Sequence, residues 1–214
     1  MAGTMPHAIF IETDVDGPGS VAAYAAELPG CAVFVAGDEE AAGGMPRRVS
    51  AFTAWLRERG EVAPAFMGDN WYEVERSAAV DGPDGRRRAA FSLDELSPSD
   101  DEFARWARWL ELAREELADA LDAAGEIPPE TLDAVAAITR QDLALAAELG
   151  SDAGAGESGG DGAGDAVDRL YAARDLLTDA LVAAGPVADG VRRALRLAIA
   201  DDLRLADRLR EARS

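Results

Sequence analysis

The chain carries one histidine, His7, one cysteine, Cys31, and no lysine: all 21 of its basic residues are arginine. Without lysine it has no Walker-type phosphate loop, no Schiff base and no pyridoxal-phosphate anchor. One His and one Cys rule out a zinc site of the usual Cys/His kind and any disulfide within the chain. His7 stands just before the first apolar run. General-base work needs partners converging on it, and none can be named, so it reads as a surface or strand-edge residue. Cys31 follows Pro29-Gly30 at a strand entry and reads as a small core residue; a redox thiol needs electropositive surroundings. Asp14-x-Asp16-Gly17 lacks the later ligands of a calcium loop and reads as a solvated turn. Arg86-Arg87-Arg88 and Arg47-Arg48 read as solvated faces or ion-pair partners for surplus acids. Trp106 and Trp109, three apart, read as helix core. With 41 Asp and Glu in the chain, two carboxylates near one another carry no information about acid–base catalysis. No catalytic, cofactor-binding or metal-binding residue is assigned, no cofactor is expected, and the chain is expected not to be an enzyme.

The formal charge of −20 and the pI of about 4.3 disfavour direct nucleic-acid binding, which relies on Lys and Arg releasing counterions from phosphates. Acidity spread over the whole length is the pattern of a chain working in molar salt, where the Debye length falls to roughly 3 Å. An extreme halophile is therefore the expected source. No apolar run approaches the roughly 20 residues that span a bilayer, and the N-terminus lacks a signal-peptide pattern. Together with a single Cys, this predicts a cytoplasmic protein with no membrane partner. The apolar pattern begins only at Ala8, and Met5 reads as an alternative start.

Two periodicities divide the chain into an N-terminal segment, 5–90, and a helical one, 91–214. In the first, Ala8–Thr13, Ser20–Ala25 and Ala32–Val35 are β-prone and separated by turn-forming runs. Val49, Phe52, Trp55 and Leu56 then recur at helical spacing up to Gly60. Val62–Asp69 reads as a loop, Trp71–Val80 as a strand, and Asp81-Gly82-Pro83-Asp84-Gly85 as a turn. The order β-β-β-α-β predicts an α+β domain.

From Ser99 the period is helical throughout. Ser99 and Glu102 form a capping-box signature, and Phe103, Trp106, Leu110, Ala113, Leu117 and Leu121 make one stripe. Gly125 stops this helix, and Pro128-Pro129 opens the next, which runs to Leu149-Gly150. Residues 151–164 form a Gly-rich flexible linker. Two further helices are expected over about 166–184 and 188–211. A shift of 60 residues superposes Ala113, Arg114, Leu117, Asp119, Ala120 and Leu121 on identical residues at 173, 174, 177, 179, 180 and 181. It also superposes Asp142, Leu143, Leu145, Ala146 and Leu149 on 202, 203, 205, 206 and 209. Two αα-hairpins packing into a four-helix bundle are the expected result, with the long loop between its second and third helices.

The stretch Tyr24-Ala-Ala-Glu27-Leu28-Pro29-Gly30-Cys31, followed by a strand, Gly37-Asp38 and the acids Glu39-Glu40, resembles the HicB-like antitoxin domain. Gly60-Glu61-Val62-Ala63-Pro64 is similar to that family's helix exit, so the resemblance covers about 8–80. The Gly43-Gly44-Met45-Pro46 insertion departs from it and predicts a late helix start. Residues 91–214 resemble a DinB-like four-helix bundle, through topology, Phe91-Ser92-Leu93-Asp94 and acidic Asp142 and Asp202. Many members of that family bind a metal through three histidines; the nearest matching positions here are Ala137 and Leu197, so the metal chemistry does not carry over. The resemblances imply a noncatalytic interaction or regulatory protein of the antitoxin type, with a protein partner or a second copy of itself. A small RNA-cleaving toxin is the partner type the HicB family implies, although the helical half shows no basic recognition helix of the kind such antitoxins use on DNA. The alternative is a DinB-like enzyme acting on thiols that has lost or replaced its metal site.

Overall fold

The computed structural model describes residues 7–64, 71–82, 84–125, 127–151 and 163–213. Met5, Pro83, positions 65–69 of the expected loop and 152–162 of the expected linker lie outside the described residues. The chain divides into two compact units. One contains the residues up to Asp81 together with Arg87–Leu93; the other contains Gly82–Arg86 and Asp94 onward.

The first unit is built on a four-stranded sheet in the order β3-β2-β1-β4. Its strands are β1 (His7–Thr13), β2 (Val21–Ala25), β3 (Ala32–Val35) and β4 (Trp71–Ala78). β1 pairs antiparallel with β2, Phe10 opposite Tyr24, and β2 antiparallel with β3. β4 runs parallel to β1, with a register shift between Ile9 and Phe10 that leaves Val74 as an extra residue, a β-bulge. The sheet is therefore mixed. His7 lies inside β1, opposite Trp71 at a ring distance of 4.8 Å, rather than ahead of the strand. The strand expected over Trp71–Val80 breaks at Ala79; Val80–Asp81 (β5) instead pairs with Arg87–Arg88 (β6) in a small hairpin.

α1 spans Asp38–Glu58, so the Gly43-Gly44-Met45-Pro46 run does not delay its start. The reason is packing. A Cβ on Gly44 would stand 3.1 Å from Cγ1 of Val33, so glycine lets the helix lie close on β3. Met45, Val49, Phe52 and Leu56 are buried along the same helix. Pro46 lacks the N–H of a normal helical link, and the helix continues through it.

The second unit has α2 (Asp100–Ala124), α3 (Pro129–Glu148), α4 (Ala163–Ala184) and α5 (Val191–Glu211). The capping box at Ser99 and Glu102 is formed, and Pro129 occupies the first turn of α3. Ala163 and Gly164, expected in the linker, are already helical, and α5 starts three residues later than expected. Leu117, Leu121, Val135, Ile138, Leu170 and Leu205 share one apolar core drawn from all four helices. The helix pairing differs from two self-packed hairpins: α2 lies closest to α5, and α3 closest to α4. The 60-residue shift exchanges these two pairs. Its matched positions have matched burial, as in Ala113 and Ala173, Leu117 and Leu177, Leu145 and Leu205. The α+β class holds: a small mixed sheet, then helices.

Candidate functional site

The helical unit buries charge where an Ala/Leu core would be expected. Arg114 on α2, Asp142 on α3, Arg174 on α4 and Asp202 on α5 converge, one residue from each helix. They are two pairs of repeat equivalents. Arg174 Nη2 donates to Asp202 Oδ1, and its Nε lies 3.9 Å from Asp142 Oδ2. Arg114 Nη1 donates to Thr178 Oγ1, which donates to the Arg174 carbonyl at 2.9 Å. Asp142 and Asp202 are each 1% exposed and Arg174 3%. Neither oxygen of Asp142 has a hydrogen-bond partner among the described residues; nor do Oδ2 of Asp202 or Nε and Nη2 of Arg114. The cluster is held by charge more than by aligned hydrogen bonds.

Its electrostatics follow from burial. Burial pushes the Asp142 carboxyl up to about 7, with Arg174 pulling it down and Asp202 adding to the rise. Asp202 is raised for the same first reason, against the pull of Arg174 and Arg114. Burial lowers Arg114. It also pulls on Arg174, but there the two aspartates prevail and hold the guanidinium above its usual value.

Two more buried acids of this unit are paired. Asp201, 3% exposed, accepts from Arg86 Nη1 at 2.9 Å and Nη2 at 3.1 Å, and from Gln141 Nε2 at 2.7 Å. Gln141 and Asp201 are also repeat equivalents. Asp94 takes a two-pronged pair from Arg196, at 3.1 and 2.6 Å. Each of these buried acids meets an arginine, an arrangement that supplies internal ties rather than a reactive group. At one end of the unit a groove of about 480 Å³ is lined by Glu130 and Glu211 as well as Arg208 and Arg213, and such mixed charges select no class of ligand.

In the first unit, Glu12 is fully buried. Its carboxylate accepts from Tyr24 Oη at 2.7 Å and from the Ala89 N–H at 2.5 Å. It anchors β1 to β2 and to the chain after β6. Cys31 is buried, and burial pushes its thiol up to about 12, with Arg48 slightly opposing; it is a core residue. The Asp14-x-Asp16-Gly17 run is a turn in which Asp14, at φ 59°, accepts from the Gly19 N–H through Oδ1 at 2.8 Å. Of the Arg86–Arg88 run, Arg86 pairs with Asp201 as an ion-pair reading expects, and Arg87 donates to the carbonyls of Asp14 and Ala79. Arg88 departs from the solvated reading and is 5% exposed. Trp106 and Trp109 are buried, with Arg192 stacked 4.6 Å over the Trp106 ring.

Ala137 and Leu197 are apolar positions of α3 and α5, and among the described residues no group of three or more His, Cys, Asp or Glu is placed to hold a metal ion. No helix of the described residues is long and apolar enough to cross a membrane. No family model, no curated protein and no solved structure matches the chain.

The sequence shows the buried cluster only in part. Arg114/Arg174 and Asp142/Asp202 stand out as repeat matches, but nothing local says that the four meet. A charged residue kept at equivalent places in two apolar stripes is the usable signal. Glu12 had none beyond being the lone acid within an apolar strand.

Proposed function

We propose that the chain is a noncatalytic protein–protein contact protein of the HicB-like type, cytoplasmic, with a DinB-like four-helix bundle in a supporting role. The observation that carries this reading is β4. It forms an edge of the four-stranded sheet, and Tyr72 and Val74 on it are 46% and 48% exposed. An edge strand presents N–H and C=O groups that pair readily with another chain. Val74, the extra residue of the bulge, is an apolar side chain left about half exposed on this strand. The β-β-β-α-β order, with Leu28-Pro29-Gly30-Cys31 feeding β3 and Gly37-Asp38 opening α1, is compatible with the HicB-like resemblance.

The occupant we assign to this edge is a second copy of the chain. Two copies of charge −20 repel at low salt. In molar salt the interaction is screened beyond roughly 3 Å, and apolar contact at Tyr72 and Val74 then decides the association. Neutralising a toxin, the role the HicB resemblance implies, would use the same exposed strand. A basic partner would suit Glu73 and Glu75 there.

The test is Val74→Arg in sedimentation at molar KCl. The variant should stay folded and lose self-association. Unchanged self-association would place the contact elsewhere and remove the reading.

A further inference from the structure

We propose that the Arg114–Asp142–Arg174–Asp202 cluster is a proton-sensitive clasp of the helical unit, tightened when its aspartate pair takes up a proton and loosened when that proton leaves. The geometry makes the pair unequal. Asp202 has a donor in Arg174 Nη2, whereas among the described residues Asp142 is buried with no donor on either oxygen and has the 3.9 Å approach of Arg174 Nε. An ionised carboxylate in such a place keeps its desolvation cost and recovers little of it through hydrogen bonds. A proton on Asp142 removes that charge and leaves Arg174 to Asp202.

The surrounding groups do not replace the missing donor. α2 contributes Arg114, whose Nη1 is directed to Thr178. α4 contributes Arg174, with Tyr171 and Asp175 acting on the two arginines from farther out. α5 contributes Asp202 and Asp201, both acidic, and Asp201 is already engaged by Arg86 and Gln141. Gln141, next to Asp142 on α3, has an Oε1 without a donor. Of the cations, Arg174 is shared by both aspartates, and Arg86 is committed to Asp201.

The sign is fixed by linkage. Asp142 is raised from an ordinary value of 3.8 to about 7. Between those values the folded unit holds a proton that the unfolded chain has released, so this group's stabilisation is lost as pH rises toward about 7 and changes little above it. A cell interior near neutrality sits at the upper edge of this window.

The experiment compares melts of the full chain and of Asp142→Asn in molar KCl between about pH 5 and about pH 8, where the aspartate shift should be read. The expected result is a melting-point difference that moves by several degrees in favour of the Asn variant as pH rises, then levels. A difference independent of pH overturns the proposal. Should the variant fail to fold, infrared titration of the wild type decides. A buried protonated-carboxyl band growing as pH falls through about 7 supports the clasp, and its absence throughout the range contradicts it.

Discussion

A buried arginine between two buried aspartates is costly to assemble and more costly to break. Arg174 carries this load, since it touches Asp202 and stands 3.9 Å from Asp142. Replacing it with Met keeps the stem volume but takes the donor from Asp202 and the approaching cation from Asp142, leaving only Arg114 to offset them. Arg174→Met should therefore lose about 3–5 kcal/mol of stability in denaturant titration. The double change Arg174→Met with Asp202→Asn should recover part of that, because one stranded charge goes with its partner. A single variant as stable as the wild type would mean that the cluster contributes no net pairing. Glu12 makes the same point in the sheet: its two donors, Tyr24 and the Ala89 N–H, turn a lone acid in an apolar strand into a tie between segments far apart in sequence.

At the scale of elements, glycines 43 and 44 are neighbours with opposite duties. A Cβ on Gly43 meets nothing within 4 Å, whereas one on Gly44 meets Val33 at 3.1 Å. Gly43→Ala should stabilise α1 by up to about 1 kcal/mol through helix propensity. Gly44→Ala should gain less or lose, because Val33 must shift. Thermal melts of the two variants test this; equal gains would mean that α1 does not rest closely on β3. The same pair shows why the expectation of a late helix start failed. Glycine and proline weaken a helix locally, but a helix packed on a sheet is held by its buried face, here Met45, Val49, Phe52 and Leu56. Local signals did locate what they govern. The Ser99/Glu102 box and Pro129 mark where α2 and α3 begin, and the stripe from Trp106 to Leu121 marks the buried face. A stripe, however, names a face and not its partner. The pairing of α2 with α5 and α3 with α4 was therefore not legible, nor was the meeting of four charged residues that depends on it. Ala163-Gly164 differ from the expected linker for a related reason: small residues next to a Gly-rich run have no pattern of their own, and they join α4 only as its first turn.

For the whole molecule the governing quantity is charge. A formal −20 sets copies and segments against one another, and exposed ion pairs such as Arg76 with Glu73 and Asp38 offset little of it in water. The melting point should rise from low to molar KCl as repulsion is screened; a flat response would remove salt adaptation as the reason for the acidity. The same screening governs association through β4, so the most direct measurement is the molar mass of the purified chain by light scattering in molar KCl. The account predicts about twice the 22.5 kDa of one chain. It also predicts a return toward the single-chain mass at low salt, under conditions where the chain remains folded. A single-chain mass at molar salt over the whole accessible concentration range would contradict it.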